Sequence, residues 1–114
     1  MDKKLQAKII AHLRRIGYLN VTYKEAMAGA HRDRGQWECA ECNGLFKRTE
    51  LHGDHIDPVI DPATGFVGWD SYIKRLFLGA IQPLCIGCHK SKSERENSIR
   101  REIRRNHKKT LSGL

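Results

Sequence analysis

Four cysteines, arranged as two C-x-x-C pairs, constrain the fold of this chain more than any other feature. Cys39 and Cys42 form the first pair, and Cys85 and Cys88 form the second. A C-x-x-C turn points two thiolates at one ion, and two such turns complete the closed four-sulfur site that zinc prefers in structural roles. The pattern predicts one structural Zn²⁺ that closes the segment between the pairs into a loop.

A redox or disulfide function is the competing interpretation of these pairs. No βαβ pattern surrounds them, as a thioredoxin-like site would require. No apolar segment of the signal-peptide kind follows the N-terminus, and no apolar run is long enough to span a membrane. We therefore expect a cytoplasmic protein with no membrane partner, in which cysteines bind metal. One zinc per chain would exclude the redox interpretation.

The composition explains why this fold would need a bound zinc ion for stability. The chain has 114 residues, of which 39% are hydrophobic and 30% are charged. A single domain of this size and composition has a thin apolar core, and a bound metal can supply the missing folding free energy.

The net charge of +8 is unevenly distributed along the chain. Residues 1–34 hold eight Lys/Arg against three Asp/Glu, and residues 90–114 hold nine against three. Residues 35–89 hold four against seven. Two basic flanks around an acidic centre favour a polyanionic partner, most simply DNA, together with a cation site between the flanks. The alternative is that the basic faces serve only solubility.

Hydrophobic spacing and turn residues predict one α+β domain. The expected helices span residues 2–16, 22–29, 70–79 and 88–109, and the expected extended segments span 37–39, 45–47, 49–56 and 81–85. Thr22 and Glu25 match a capping box, and Asp70 or Ser71 should cap the third helix. Residues 31–36 are expected to be a polar connector.

Catalysis would need a second site, because a four-thiolate ion has no open coordination position. Asp54 and His55 end a predicted strand, and His89 directly follows the last cysteine. His89 lies about 100° around the helix from Cys88, so it should point away from the zinc. We expect Asp54 and His89 to bind a catalytic divalent ion (Mg²⁺, Mn²⁺, Ni²⁺ or Zn²⁺) and His55 to act as general base.

The order of these motifs resembles the HNH endonuclease family. The segments "CAEC", "HGDHIDPV" and "QPLCIGCHKSK" are similar to its zinc-containing four-cysteine branch, found in bacteriophages and bacteria. The resemblance covers residues 37–95 and implies a ββα-metal fold braced by the zinc. Residues 1–34 would then be an N-terminal helical extension, and residues 96–114 a long basic C-terminal helical tail of the same domain.

The resemblance implies a role for each residue of the second site. Asp54 matches the metal-binding acid, His55 matches the histidine that activates water, and His89 matches the last histidine, a metal ligand. Ala80 stands where the family has an asparagine that orients the catalytic histidine. In an active enzyme, Gln82 or another polar group in the 61–80 loop would have to replace that asparagine.

These observations predict a metal-dependent DNA endonuclease or nickase with a one-metal mechanism, acting in the bacterial cytoplasm if the gene belongs to a phage. The alternative is a zinc-stapled DNA-binding module with weak or no catalysis, which the alanine at position 80 favours. Lys90, Lys92 and Arg95 are the expected DNA contacts, because they follow His89 on one helix. The sequence leaves monomer and homodimer open.

Overall fold

The mixed α+β class expected from the sequence is confirmed by a computed structural model, which describes the backbone of residues 1–112 and the side chains of residues 1–110. Four α-helices and five short strands follow one another in the order ααββββαβα. Their bounds are α1 Lys3–Tyr18, α2 Val21–Gly29, β1 His31–Asp33, β2 Gln36–Glu38, β3 Leu45–Phe46, β4 Leu51–His55, α3 Trp69–Leu78, β5 Ile81–Cys85 and α4 Ile86–Ser112.

The second helix begins differently from the sequence prediction. α2 follows Asn20 and has no side-chain cap. The Thr22 hydroxyl instead donates to the carbonyl of Phe77, 3.4 Å away. The expected capping box is therefore wrong, because the threonine makes a tertiary contact that holds α2 against the end of α3.

Residues 31–36 form a strand and a turn rather than a plain connector. β1, β2 and β3 make a three-stranded antiparallel sheet, in which His31 pairs with Trp37 and Trp37 pairs with Phe46. Gly35 takes a φ of 71°, which closes the turn between β1 and β2 at little steric cost. The β2–β3 pairing agrees with the expected hairpin.

A second sheet joins the two segments that hold the candidate site. β4 pairs antiparallel with β5, with Leu51 opposite Cys85 and His55 opposite Ile81. α4 begins at Ile86, directly after β5, so one short unit of two strands and a helix carries Asp54, His55 and His89. The small buried core includes residues from both strands of this unit and comprises Met27, Ala30, Cys39, Leu51, Leu84 and Cys85.

α3 lies between β4 and β5 in the chain and ends near His55. Its N-terminus follows Gly68 and has no side-chain cap, so the expected cap at Asp70 or Ser71 is wrong. Gly79 ends the helix as expected, and its N–H donates to the carbonyl of Arg75 at 3.2 Å.

The C-terminal part of α4 extends away from the rest of the domain. Residues 101–110 are all exposed, and the molecule measures 61 × 27 × 19 Å. Its radius of gyration is 16.6 Å, against about 13 Å for a compact domain of this length. Within residues 1–112, no helix is long and apolar enough to cross a membrane.

Candidate functional site

The four cysteines converge, as their spacing predicts. Their sulfur atoms all lie within 4.8 Å of one another, and Cys42 Sγ is 4.0 Å from Cys85 Sγ. Zinc–sulfur bonds of about 2.3 Å in a tetrahedron separate the sulfurs by about 3.8 Å. The cluster formed by Cys39, Cys42, Cys85 and Cys88 could therefore hold a structural metal ion with little rearrangement.

The turn after the first cysteine pair explains how the cluster forms. Asn43 adopts a φ of 60°, a left-handed conformation that asparagine tolerates better than most residues. A Cβ at Gly44 would lie 2.9 Å from the Phe46 ring, so this position requires glycine. The N–H of Ala40 donates to the carbonyl of Pro83 at 2.8 Å, which ties the turn to β5.

The second pair needs no special backbone. Gly87 lies in the first turn of α4, and a Cβ there would meet nothing within 4 Å. The second pair therefore does not require glycine at position 87, because the passage from the end of β5 into the first turn of α4 brings Cys85 and Cys88 together.

The thiols differ in how readily they ionise without metal. Burial raises the pKa of Cys39, but hydrogen bonds from the backbone at Cys42 and Cys85 outweigh it and bring the pKa down to about 7. Hydrogen bonding with Cys85 is the largest cause that raises the pKa of Cys88 to about 12. A cysteine binds a metal ion as the thiolate, so metal loading at neutral pH would have to displace the Cys88 proton. Loading would therefore weaken as the pH falls.

Asp54 and His89 face each other across a short gap. His89 Nε2 lies 3.8 Å from Asp54 Oδ1. Metal–ligand bonds of about 2.1 Å to each atom could span this distance. The Asp54 side chain is 15% exposed and that of His89 is 41% exposed, so an ion between them would keep positions open to solvent on the histidine side.

The ring of His55 is held in one tautomer. His55 Nε2 lies 2.9 Å from the carbonyl oxygen of Leu76. A carbonyl only accepts, so Nε2 carries a hydrogen, and in the neutral ring Nδ1 is the nitrogen with the lone pair. The Leu76 carbonyl therefore orients the His55 ring, a task that the resemblance would give to an asparagine at position 80.

Gln82 makes a different contact from the one expected of an asparagine substitute. Its Nε2 donates to Asp54 Oδ2 at 3.4 Å, because Gln82 pairs with Asp54 across the β4–β5 ladder. Ala80 contributes only its backbone carbonyl, which accepts from the N–H of Ile56 at 3.0 Å. Gln82 thus supports Asp54 rather than His55.

Lys92 occupies the centre of a polar network. Its Nζ lies 2.9 Å from Asp54 Oδ2 and 2.6 Å from Glu96 Oε1, and it donates to the His55 carbonyl at 3.1 Å. Burial lowers the pKa of Lys92, but the hydrogen bonds that its ammonium donates to Glu96 and Asp54 outweigh this effect and leave the pKa raised. The ammonium is therefore committed to three protein oxygens, and its DNA contact stays a prediction.

The other expected DNA contacts are open to solvent. Lys90 is exposed on α4. Arg95 Nη2 lies 3.8 Å from Glu41 Oε1, and both side chains are well exposed, so this pair contributes little to stability. His52, two residues before Asp54, has its ring centroid 5.5 Å from that of His89. The DNA contacts of Lys90 and Arg95 stay predictions.

Two features of the site were missed by the sequence analysis. Glu96 stands four residues after Lys92, a spacing that indicates a helical ion pair but does not reveal that the Lys92 ammonium also contacts Asp54. Tyr23 lies against Gly53: a Cβ at Gly53 would come within 2.1 Å of the Tyr23 ring, and the Tyr23 hydroxyl accepts the Gly53 N–H at 3.1 Å. This contact fixes β4 directly beside Asp54.

A cleft of about 380 Å³ opens over these residues. Asp54, His55 and His89 line it together with parts of α1, α2, α3 and α4. No pattern in the sequence indicates that α1 and α2 line the cleft, because this depends on how the helices pack in the folded protein. The cleft therefore joins the N-terminal helices to the candidate site.

No family model matches the chain, and neither a curated protein nor a solved structure matches it. Function is therefore inferred from the geometry of the site and from the resemblance of its motifs.

Proposed function

We propose that the protein is a metal-dependent DNA endonuclease or nickase of the HNH type. The observation that supports this most is the meeting of Asp54, His55 and His89 in one cleft, on two antiparallel strands followed by a helix. An acid and an imidazole that could share an ion, beside a histidine with a free ring nitrogen, suit phosphodiester hydrolysis. The basic flanks suit DNA as the substrate.

In this mechanism, each side chain has a task that follows from its contacts. A divalent ion, bound by Asp54 and His89, would polarise the scissile phosphate and stabilise the leaving oxygen. His55 accepts a proton from the attacking water at Nδ1, while the Leu76 carbonyl holds Nε2–H and keeps the ring oriented. Lys92 and Gln82 hold one oxygen of Asp54, so that its other oxygen faces His89.

The test is plasmid nicking in Mg²⁺, Mn²⁺, Ni²⁺ and Zn²⁺ by the parent and by His55→Ala. We expect cleavage by the parent in at least one ion, and a loss of about 100-fold or more in His55→Ala because the general base is removed. Zinc content should stay the same in both. His12→Ala, an exposed histidine on α1, is the control. Equal cleavage by His55→Ala and the parent would overturn the catalytic assignment.

A zinc-braced DNA-binding module without catalysis is the second candidate. The Lys92 ammonium, 2.9 Å from Asp54 Oδ2, favours it, because the lysine already neutralises the carboxylate that an ion would need. This candidate predicts salt-sensitive DNA binding and no cleavage in any of the four ions. The same nicking assay, paired with a binding assay, separates the two.

A further inference from the structure

One wall of the cleft comes from α1, outside the unit of two strands and a helix. Arg14, Gly17 and Tyr18 line the cleft from this side. Contacts between α1 and α3 fix their position. The Tyr72 hydroxyl donates to the carbonyl of Ile10 at 3.4 Å, and Gly17 packs against Leu76, where a Cβ would lie 3.0 Å from Cδ1. α1 is therefore held in place on both sides of Arg14.

The spacing along α1 separates Arg14 from its neighbour Arg15. Ile10, Arg14 and Gly17 are four and three residues apart, so they share one face of the helix. Arg15 lies about 100° further around the axis and is not among the residues that line the cleft. Of these two adjacent arginines, Arg14 therefore lines the cleft and Arg15 does not.

α4 supplies a second wall through one of its faces. The residues of this face are His89, Lys92, Ser93, Glu96, Asn97 and Arg100. Arg100 stands eleven residues beyond His89, or about 16 Å along the helix axis. Helical side chains point back toward the helix N-terminus, so the Arg100 guanidinium lies closer to His89 than the backbone spacing alone gives, but still at a distance from it. Arg100 therefore suits a phosphate further along the strand than one bound at His89.

Both arginines keep their charge free for a ligand. Among the side chains that the structure describes, no carboxylate lies within 4.0 Å of either guanidinium. Arg100 Nη1 donates to the neutral Asn97 Oδ1 at 2.9 Å. Arg14 lies near Tyr72, whose pKa is raised by burial despite the arginine, so this phenol is neutral too. Lys92, in contrast, contacts two carboxylates.

We propose that Arg14 and Arg100 bind phosphates of the DNA strand that flank the one at Asp54 and His89, so that α1 is part of the substrate-binding cleft. The inference rests on the proposed function, since it takes DNA as the ligand. Two unpaired guanidiniums on separate walls, with the candidate catalytic residues in the same cleft, suit a polyanion that passes through it.

The test measures DNA binding in a background that cannot cut. In zinc-loaded full-length His55→Ala protein, we compare Arg14→Gln with Arg15→Gln, and Arg100→Gln with Arg48→Gln, an exposed arginine that lies outside both the cleft and the basic segment at 101–110. Glutamine keeps the length of the side chain and removes the charge. Binding of a fluorescein-labelled duplex is followed by anisotropy over a series of salt concentrations, and thermal melting of each variant is recorded.

We expect Arg14→Gln and Arg100→Gln each to weaken binding about five- to tenfold and to reduce the slope of log K against log salt by about 0.9, because each loses one phosphate contact. Arg15→Gln and Arg48→Gln should change affinity by less than about twofold. Arg14→Lys should restore most of the affinity, which a purely structural role beside Tyr72 would not predict. Equal losses for each cleft arginine and its control would overturn the inference.

The parent's nicking assay keeps this outcome separate from the proposed function. If the parent cuts DNA and the control variants lose as much affinity as the cleft variants, only the role of the cleft arginines fails. If the parent does not cut but the cleft arginines dominate binding, their role stands and catalysis fails. A parent that neither binds nor cuts DNA overturns both.

Discussion

At the scale of single residues, Lys92 determines the electrostatic state of Asp54. The ammonium lies 2.9 Å from one oxygen of Asp54 and also contacts Glu96 and the His55 carbonyl. A lysine buried in this way stabilises the fold only while it is charged. The same contacts leave the other Asp54 oxygen for an ion, so a single side chain connects stability with the candidate chemistry.

Replacing Lys92 with methionine should therefore destabilise the protein in a pH-dependent way. We expect a loss of about 1–3 kcal/mol near neutral pH, because Asp54 and Glu96 lose a charged hydrogen-bond donor. The pKa of Lys92 is raised in the folded protein above its ordinary value of 10.5, so folding favours its protonated form. The stabilisation is thus complete below 10.5 and disappears as the pH rises through the higher, folded-state pKa.

Urea unfolding of the parent and Lys92→Met over this pH range measures the difference in the free energy of unfolding. Lys90→Met is the matched control, since Lys90 is exposed and has no carboxylate within 4.0 Å among the described side chains. A difference that persists unchanged above the folded-state pKa would mean that packing of the methylene chain, not the charge, explains the effect.

At the scale of elements, structure that depends on residues close together in the chain could be predicted from the sequence. Contacts between residues far apart in the chain could not. The C-x-x-C spacing predicted the cysteine cluster because each pair is a local turn. The strand at His31–Asp33 was missed because its residues are exposed and polar, so no alternation of apolar residues marks it. The hydrogen bond between the His55 ring and the Leu76 carbonyl was also missed, since the two residues are 21 positions apart in the chain.

Removal of zinc should loosen several elements at once. The cluster joins the turn after β2, the end of β5 and the first turn of α4. We expect one zinc per chain by elemental analysis, and a fall in Tm of about 10 °C or more with a strong chelator, because structural zinc contributes many kcal/mol to small folds. Added Zn²⁺ should restore the original Tm, whereas Mg²⁺ should not.

Cys42→Ser should reproduce the effect of the chelator, since it removes one ligand. Ala40→Ser, an exposed position in the same turn, should melt like the parent. If the protein contained no zinc and the chelator left its melting curve unchanged, the metal assignment would be wrong. That result would support the redox interpretation of the cysteines instead.

At the scale of the whole molecule, charge and shape divide the protein into two parts. Residues up to Arg100 contain the core, the cysteine cluster and the cleft. The exposed helical segment at 101–110 adds five Lys/Arg against one Asp/Glu. Four of these cations, Arg101, Arg104, Arg105 and Lys108, lie together along one stretch of α4. Such a segment suits long-range attraction of DNA more than stability.

Deleting residues 101–114 should therefore separate affinity from stability. We expect the Tm to stay within about 2 °C of the parent's, because residues 101–110 are all exposed. DNA affinity should fall about tenfold or more, with a shallower salt dependence, because several phosphate contacts are lost together. Neutralising Arg101, Arg104 and Arg105 with glutamine should reproduce most of that fall while keeping the helix. A large drop in Tm on deletion would show instead that the segment packs against the body, and an unchanged affinity would mean that its charges serve only solubility.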